Sequence, residues 1–234
     1  GLIRPQEGSV RVLGVEVGQR GVDLRTLRQR VGLVFQYPEH QLFADTVYND
    51  VAFGPRNMGL EEAEVQRRVK QALEAVGLPP DIGGRSPFAL SGGQRRRVAI
   101  AGVLAMDPEI LILDEPAAGL DPVGRRSVYQ LAASWHARGK TVVLITHDMA
   151  VAARWAEKVV VLHRGRVLMQ GPPREVFGRA AELVEAGLAV PDVTQLLTVL
   201  QQRGIPVRSD CLTVEEAVRE LNRVRGGAGP EQLV

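Results

Sequence analysis

Residues 90 to 94 read Leu-Ser-Gly-Gly-Gln, and residues 110 to 116 read Ile-Leu-Ile-Leu-Asp-Glu-Pro. Two glycines behind a serine at the start of a helix leave backbone N–H groups exposed, and the helix dipole favours an anion there. Four branched aliphatic residues before two carboxylates are typical of a strand that is buried on both faces and ends in a crevice. Acids at such a strand end can hold Mg²⁺ and activate a water molecule. The two segments therefore predict an anion site and a metal-and-base site in an α/β protein.

Each segment has a simpler interpretation when it stands alone. Ser-Gly-Gly is typical of a solvated turn, and a strand ending in Asp-Glu is often only a strand that meets solvent. The neighbouring residues favour the functional interpretation. Gly119-Leu120-Asp121 comes directly after the acids, and Thr141 to Thr146 is predicted as another buried strand, followed by His147 and Asp148. A second strand end thus supplies an imidazole.

In this order, the motifs resemble those of the nucleotide-binding domains of ABC ATPases. By that resemblance, Asp114 is the Walker B aspartate, which would hold Mg²⁺ through water, and Glu115 would orient and deprotonate the attacking water. His147 matches the switch histidine, which would contact the terminal phosphate and the transition-state charge. Gln36 matches the Q-loop glutamine, which would sense the γ-phosphate and offer an oxygen to Mg²⁺. The resemblance thus implies an ATPase with Glu115, His147 and Gln36 as catalytic residues, and with ATP and Mg²⁺ as its cofactors.

The same resemblance implies a site shared between two subunits. Two chains would sandwich two ATP molecules, each held by the phosphate-binding loop (P-loop) of one chain and by the signature motif of the other. The residues that would contact nucleotide in this way are Ser91, Gly92, Gly93 and Gln94 of the signature motif and Asp121 of the D-loop.

Two further segments narrow the resemblance. Residues 35 to 43 (Phe-Gln-Tyr-Pro-Glu-His-Gln-Leu-Phe) and 47 to 55 (Val-Tyr-Asn-Asp-Val-Ala-Phe-Gly-Pro) are similar to the cobalt-type, or energy-coupling-factor (ECF), branch of the importers. The branch implies a subunit that powers import of a cobalt or nickel ion or a vitamin, at the cytoplasmic face of the membrane. The implied partners are a second ATPase subunit, identical or different, a transmembrane scaffold and a substrate-capture protein.

The P-loop motif has no match in residues 1 to 234. It requires G-x-x-x-x-G-K-[S/T] between a strand and a helix. Gly139-Lys140-Thr141 has the ending, but Ser134 stands where the leading Gly is needed and a strand comes next, so we predict a turn. The segment from Gly1 to Gly8 resembles the stretch located just after the P-loop helix in this family. Two explanations stay open, a P-loop upstream of Gly1, which we favour, or a natural chain that has lost it; residues 1 to 234 alone are expected to bind ATP weakly.

Composition excludes several other classes of protein. An apolar content of 45% over 234 residues suits one substantial core with a small appendage. The 29 basic residues are offset by 27 acidic ones, which is too balanced to indicate nucleic-acid binding. No apolar run approaches the ~18 residues of a membrane-spanning helix. The single cysteine, Cys211, excludes an internal disulfide and a cysteine metal site.

Strands that alternate with helices predict an α/β fold with a mostly parallel sheet. With the resemblance, this is a P-loop NTPase-type ABC ATPase core at residues 1–172. An inserted helical subdomain that carries the signature motif is predicted at 41–106. A small C-terminal helical extension is predicted at 173–225, for which we favour a dimer contact over simple packing, and a flexible tail at 226–234.

Hydrophobic periodicity and capping residues predict individual elements. They are a strand pair within Ser9–Val17, a helix at Asp23–Arg30, a buried strand at Val31–Phe35, a helix that ends at Gly77, a helix capped by Ser91 and stopped by Asp107-Pro108, strands at Val159–His163 and Arg166–Gln170, helices at Glu175–Ala189 and Asp192–Arg203, and a helix opened by Thr213. Arg95 to Arg97 are predicted to form a solvated face, although these bases would lie one turn from any phosphate bound at the signature loop.

Two other functions stay open at this stage. A soluble ABC ATPase that acts on nucleic acid or ribosomes usually carries long coiled-coil inserts or tandem cassettes, and residues 1 to 234 contain neither. A non-hydrolysing partner subunit would contribute only its signature loop to another ATPase. The presence of Glu115 and His147 argues against that second possibility, whereas the lack of a P-loop motif keeps it open.

Overall fold

The computed structural model describes residues 2–3, 5–19 and 21–227. They belong to two compact units, which divide the chain between Ile145 and Thr146. The first unit contains β1 (Val10–Val12), β2 (Val15–Val17), α1 (Leu24–Arg30), β3 (Val31–Val34), α2 (Val47–Asn57), α3 (Glu62–Ala75), α4 (Gly92–Leu104), β4 (Ile110–Asp114), α5 (Pro122–Ala137) and β5 (Thr141–Ile145). The second contains α6 (Met149–Trp155), β6 (Val159–His163), β7 (Arg166–Gly171), α7 (Pro173–Gly178), α8 (Ala180–Glu185), α9 (Asp192–Gln202) and α10 (Val214–Gly227). Within the described ranges, no helix is both long and apolar enough to cross a membrane.

A three-stranded parallel sheet lies in the first unit, in the order β3-β4-β5. Its register pairs Val34 with Leu113 and Asp114 with Ile145. The predicted α/β fold with a parallel sheet is therefore confirmed. The strand pairs β1–β2 and β6–β7 are antiparallel, as short hairpin connections require.

The burial of β4 and β5 differs from the prediction. In β4, Leu111 and Leu113 are buried, but the alternate residues are only half-buried. In β5, Val143 and Ile145 are 41% and 49% exposed, so the prediction of a buried strand is wrong. Alternate residues of a strand point to opposite faces, and in the described part of the chain only one face of β5 is covered by core side chains.

Of the helices between β3 and β4, α4 packs against β3, and α2 and α3 pack against α4. Val65, Val69 and Leu73 recur every four residues on α3 and are buried on one face, as the periodicity predicted. Gly77 comes next with φ +68°, a left-handed conformation that glycine adopts without steric cost and that ends the helix. Thr46 caps α2 by accepting the N–H of Asn49 at 3.2 Å. The predicted subdomain bounds, 41–106, and the predicted core boundary at 172 stay predictions.

The second unit has its own core, formed around Phe177, Leu183 and Met169. The predicted single helix over Glu175–Ala189 is wrong, because α7 and α8 are separated at Arg179, whose backbone (φ −91°, ψ 44°) is not helical. The residue before it is Gly178, which has low helix propensity. The helix predicted at Asp192–Arg203 is confirmed as α9.

The last described helix, α10, starts as predicted. Thr213 Oγ1 accepts the N–H of Glu216 at 3.2 Å, which satisfies a donor that the first turn of a helix leaves unpaired. Gly226 and Gly227 are the final residues of α10. The remainder of the predicted tail, 228–234, lies outside the described residues.

Candidate functional site

Two candidate residues lie at the ends of neighbouring parallel strands, at the same edge of the sheet. Val34 pairs with Leu113 on the neighbouring strand. Gln36 follows Val34 by two residues, and Asp114 follows Leu113 by one. Parallel strands end at the same edge, where ligands bind in open α/β sheets. Gln36 is exposed and Asp114 is half-buried. The fold therefore brings the two side chains predicted to bind Mg²⁺ to one edge.

Glu115 comes directly after Asp114 and has a backbone that is unusual for a side-chain-bearing residue. Its φ is +44°, in the left-handed region that favours glycine and costs about 1–3 kcal/mol for other residues. Its N–H donates to the carbonyl of Ile145 at 3.0 Å, and its own carbonyl accepts from Ala118 N–H at 3.1 Å. These bonds hold the backbone of Glu115 against β5. The carboxylate predicted to activate water is thus attached to a tightly constrained turn.

The signature segment forms a complete capping box at the start of α4. Ser91 Oγ accepts the N–H of Gln94 at 3.3 Å, and Gln94 Oε1 accepts the N–H of Ser91 at 3.1 Å. The prediction that Ser91 caps this helix is confirmed. Gln94 was predicted to contact nucleotide. In the structure its carboxamide oxygen accepts a hydrogen bond within the cap.

Gly92 and Gly93 occupy the first turn of α4, where N–H groups have no partner within the helix. Both residues are exposed, neither has a positive φ, and a Cβ on either would meet no atom within 4 Å. The conformation of this chain therefore does not require glycine at these positions. Glycine does leave room for another molecule to approach the backbone closely, as a phosphate at a helix N-terminus does.

Arg96 is a buried side chain near these residues that the sequence interpretation misplaced. It was predicted on a solvated face, but its side chain is only 4% exposed. Its Nε and Nη2 donate to both carboxylate oxygens of Glu39, at 3.0 and 2.9 Å, and Nη1 donates to the carbonyl of Ala118. Helical spacing was the available signal, because Arg96, Ile100 and Leu104 lie four residues apart, and so on one face, and all three are buried.

Electrostatics keep the partner of Arg96 ionised. Burial raises the pKa of the Glu39 carboxyl, but the hydrogen bonds from the Arg96 guanidinium and from the backbone outweigh it, so that the pKa lies below its ordinary value. Removal of one member of a buried ion pair typically costs about 3–5 kcal/mol, because the other charge stays buried. The pair therefore constrains the segment after Gln36 strongly.

The two remaining predicted residues are Asp121 and His147. Asp121 is exposed and caps α5, with Oδ1 accepting the N–H of Gly124 at 2.6 Å. His147 belongs to the second unit, two residues after Ile145 in the chain, and is exposed. Asp148 beside it caps α6 by accepting the N–H of Val151 at 3.1 Å. The site roles of Asp121 and His147 stay predictions.

The oxygen donors at this edge fit Mg²⁺ in a nucleotide complex. Within the described ranges, no three His, Cys, Asp or Glu side chains gather into a metal cage. Mg²⁺ in phosphoryl-transfer sites is held by one or two protein oxygens together with phosphate and water, so a full cage is not required. Asp114 and Gln36 supply oxygens of the right chemistry, and their positions at one sheet edge agree with such a site.

Comparisons with known proteins give a consistent picture. The family model described as "ABC transporter" matches residues 1–118. The chain is 56% identical to the energy-coupling factor transporter ATP-binding protein EcfA2 of Symbiobacterium thermophilum, over 97% of this chain and 79% of that protein.

Two solved structures are similar to the chain. One is cbiO1 from Clostridium perfringens, described as part of the ABC transporter complex cbiONQ, with a TM-score of 0.69 and 38% identity over 85% of this chain and 79% of that one. The other is the ATP-binding cassette MJ0796, solved as a dimer in a post-hydrolysis state with ADP and phosphate. It has a TM-score of 0.65 and 30% identity, and the alignment covers 74% of this chain and 76% of that one.

Proposed function

Because the chain belongs to the ABC transporter family of ATPases, we propose that it couples ATP hydrolysis to import of a cobalt ion, a nickel ion or a vitamin. It is an ATP-binding subunit of the energy-coupling factor type and an ATPase. Subunits of this kind work as dimers and are associated with membrane components. The proposed partners are a transmembrane scaffold and a substrate-capture protein, and the proposed location is the cytoplasmic face of the membrane.

One observation supports the proposed ATP hydrolysis most directly. The constrained Glu115 turn adjoins the sheet edge at which Asp114 and Gln36 lie. A carboxylate beside metal-binding oxygens is what in-line attack of water on a phosphoryl group requires.

In the proposed reaction, Glu115 orients a water molecule and accepts its proton as the oxygen attacks the γ-phosphorus of ATP. Asp114 and Gln36 would hold Mg²⁺, which would neutralise charge on the phosphates. The N–H groups of Gly92 and Gly93 bind the terminal phosphate of a nucleotide held by the second subunit. His147 donates a hydrogen bond to the terminal phosphate that the water activated by Glu115 attacks, whose negative charge is redistributed in the transition state. ADP and phosphate leave, and no covalent intermediate forms on the protein.

The proposed docking surface for the scaffold is the pair of exposed rings Phe43 and Phe53. They are 61% and 50% exposed and meet edge to face, with ring centroids 4.9 Å apart. Asp50 fixes this arrangement, because its Oδ2 accepts the N–H groups of Phe43 and Ala44 at 3.0 and 2.9 Å. An exposed aromatic pair on a rigid support is a typical anchor for the apolar face of a partner helix.

The role of the ring pair can be tested with Phe43→Ala and Phe53→Ala in the full-length subunit. Each change should weaken co-purification with the transmembrane scaffold by at least about tenfold, since loss of a buried anchor costs about 2 kcal/mol or more. Scaffold-stimulated ATP hydrolysis should fall in parallel. Trp155→Ala is the control, because Trp155 has similar exposure (42%) but lies in the second unit. Full-strength scaffold binding by both Phe variants would refute the docking surface.

A further inference from the structure

We propose that Arg96 is a positioning residue that links the segment after Gln36, the signature helix α4 and the segment after Glu115, so that these three parts of the site move together. This inference rests on the proposed ATPase function. It deepens that function by assigning a role to a side chain that is not expected to touch nucleotide.

The first support is that the Arg96 guanidinium is buried and that all three of its nitrogens donate hydrogen bonds. Arg96 is 4% exposed, and three of its nitrogens donate hydrogen bonds, two to the Glu39 carboxylate and one to the Ala118 carbonyl. Glu39 is only 16% exposed. A planar guanidinium fork fixes both the distance and the orientation of its acceptors, which a lysine ammonium cannot do.

The second support is an aromatic contact beside Gln36. The Cζ of Arg96 lies 5.6 Å from the ring centroid of Tyr37, a cation–π distance. Tyr37 is the residue directly after Gln36 and has a left-handed backbone with φ +57°. Its ring also stacks on His40, with centroids 5.9 Å apart. The backbone that presents Gln36 is therefore held on the Arg96 side.

The third support is where the contacted residues lie in the chain. Glu39 is three residues past Gln36, and Ala118 is midway between Glu115 and Asp121. Arg96 itself is five residues past Ser91 on a continuous helix. Each contact thus joins a segment that carries a different candidate nucleotide residue.

Burial makes the linkage stiff. If one segment moved away from the others, a charged hydrogen bond would break where water cannot replace it. Motion of the three segments together keeps every bond. When ATP binding shifts the segment after Gln36, Arg96 therefore moves the signature loop and the Glu115 turn with it. The three segments do not adjust independently.

Arg96→Lys in the full-length subunit, assembled with its second ATPase subunit, tests this role. Lysine keeps the charge and most of the stem but loses the fork. We expect kcat for ATP hydrolysis to fall at least about tenfold while the apparent KM for ATP changes less than about threefold, because nucleotide binding relies on other groups. Glu39→Gln should produce the same split, and the double variant should be little worse than either single one.

The chain offers a matched control in Arg68. Its Nε donates to Glu64 at 2.8 Å and its Nη1 to the carbonyl of Met106 at 3.3 Å, so it also combines a carboxylate with a main-chain carbonyl. It lies on α3, and these two hydrogen bonds do not reach the segments after Gln36 and Glu115 or the first turn of α4. Arg68→Lys should leave kcat and KM unchanged even where its thermal midpoint falls as much as that of Arg96→Lys.

The outcomes separate cleanly. A selective loss of kcat in the Arg96 and Glu39 variants, with normal Arg68→Lys, supports the positioning role. Normal turnover in Arg96→Lys overturns it. A loss of kcat that follows the loss of thermal stability to the same extent in Arg96→Lys and in Arg68→Lys overturns it as well. If Arg96→Lys does not fold, Glu39→Gln decides between the same results. Absence of ATP turnover in the unmodified assembly would refute the proposed function itself, and with it this inference.

Discussion

Substitution of Gly32 by alanine should disturb the packing of β3 against the end of α4. Gly32 is buried in the middle of β3 and pairs with Leu111. A Cβ at this position would lie 2.7 Å from Val103 Cγ1 and 2.9 Å from Pro108 Cγ. Favourable carbon–carbon contacts are about 3.5–4.0 Å, so the new methyl group would overlap both side chains by about 1 Å. Neither can rotate away easily, because valine has one strongly preferred rotamer in a helix and the proline ring is rigid.

The expected cost comes from overpacking of a buried site. Extra methyl groups in well-packed cores typically destabilise by about 1–3 kcal/mol. For a domain of this size, each kcal/mol lowers the thermal midpoint by about 2–4 °C, so Gly32→Ala should unfold about 2–12 °C below the unmodified protein. Thermal unfolding monitored by circular dichroism is a suitable assay.

Gly84→Ala is the matched control. Gly84 also lies at a φ that alanine tolerates, and a Cβ there would meet no atom within 4 Å. The free energy of unfolding of Gly84→Ala should therefore stay within about 0.5 kcal/mol of that of the unmodified protein. Val103→Ala removes one of the two overlapping atoms, and the double variant should therefore be more stable than the sum of the single effects predicts. Equal unfolding temperatures for Gly32→Ala and the unmodified protein would refute this description of the β3–α4 contact.

Two further predictions concern catalysis and pH. Glu115→Gln in the full-length subunit should keep ATP binding but lower hydrolysis by at least ~10²-fold, as expected for loss of a positioned base, and ATP should then trap a closed dimer visible by size-exclusion chromatography. Normal turnover would place the base elsewhere, with His147 as the next candidate. The hydrogen bond from Arg223, with that from the backbone of Arg208, lowers the pKa of Glu220 from 4.5 to about 2. Because the folded state holds this proton less tightly, the carboxylate stabilises the fold above pH 4.5 and loses that contribution as pH falls toward 2, so urea unfolding should find Glu220→Gln destabilised at neutral pH but not near pH 2. A difference that is independent of pH would contradict that assignment.

The sequence predicted the site best where local chemistry decides the structure. Ser91 and Gln94 form a capping box because their side chains reach neighbouring N–H groups within one turn of helix. The strand that delivers Asp114 was identified from its run of branched aliphatic residues, and it pairs in parallel on both sides. The ATPase function was inferred from the order of such motifs and agrees with the family to which the chain belongs.

Contacts between distant residues were not predictable in this way. Glu39 and Arg96 are 57 residues apart, and neither position by itself indicates a buried ion pair. Three consecutive arginines are usually solvated, and only the packing of α4 beneath the segment after Gln36 makes Arg96 an exception. The break between α7 and α8 is similar, because the apolar pattern continues past a residue whose backbone leaves the helix.

The sequence by itself determined the motifs and the elements that carry them, because caps, turns and hydrophobic periods depend on residues within a few positions of one another. The tertiary structure alone decided which face of β5 is covered, which arginine is buried, and that Gln36 and Asp114 lie at the same edge of the sheet. Those properties depend on strand register and on side chains brought together from distant parts of the chain, where the free energy of burying a charge or an apolar surface is set by all of the neighbours at once.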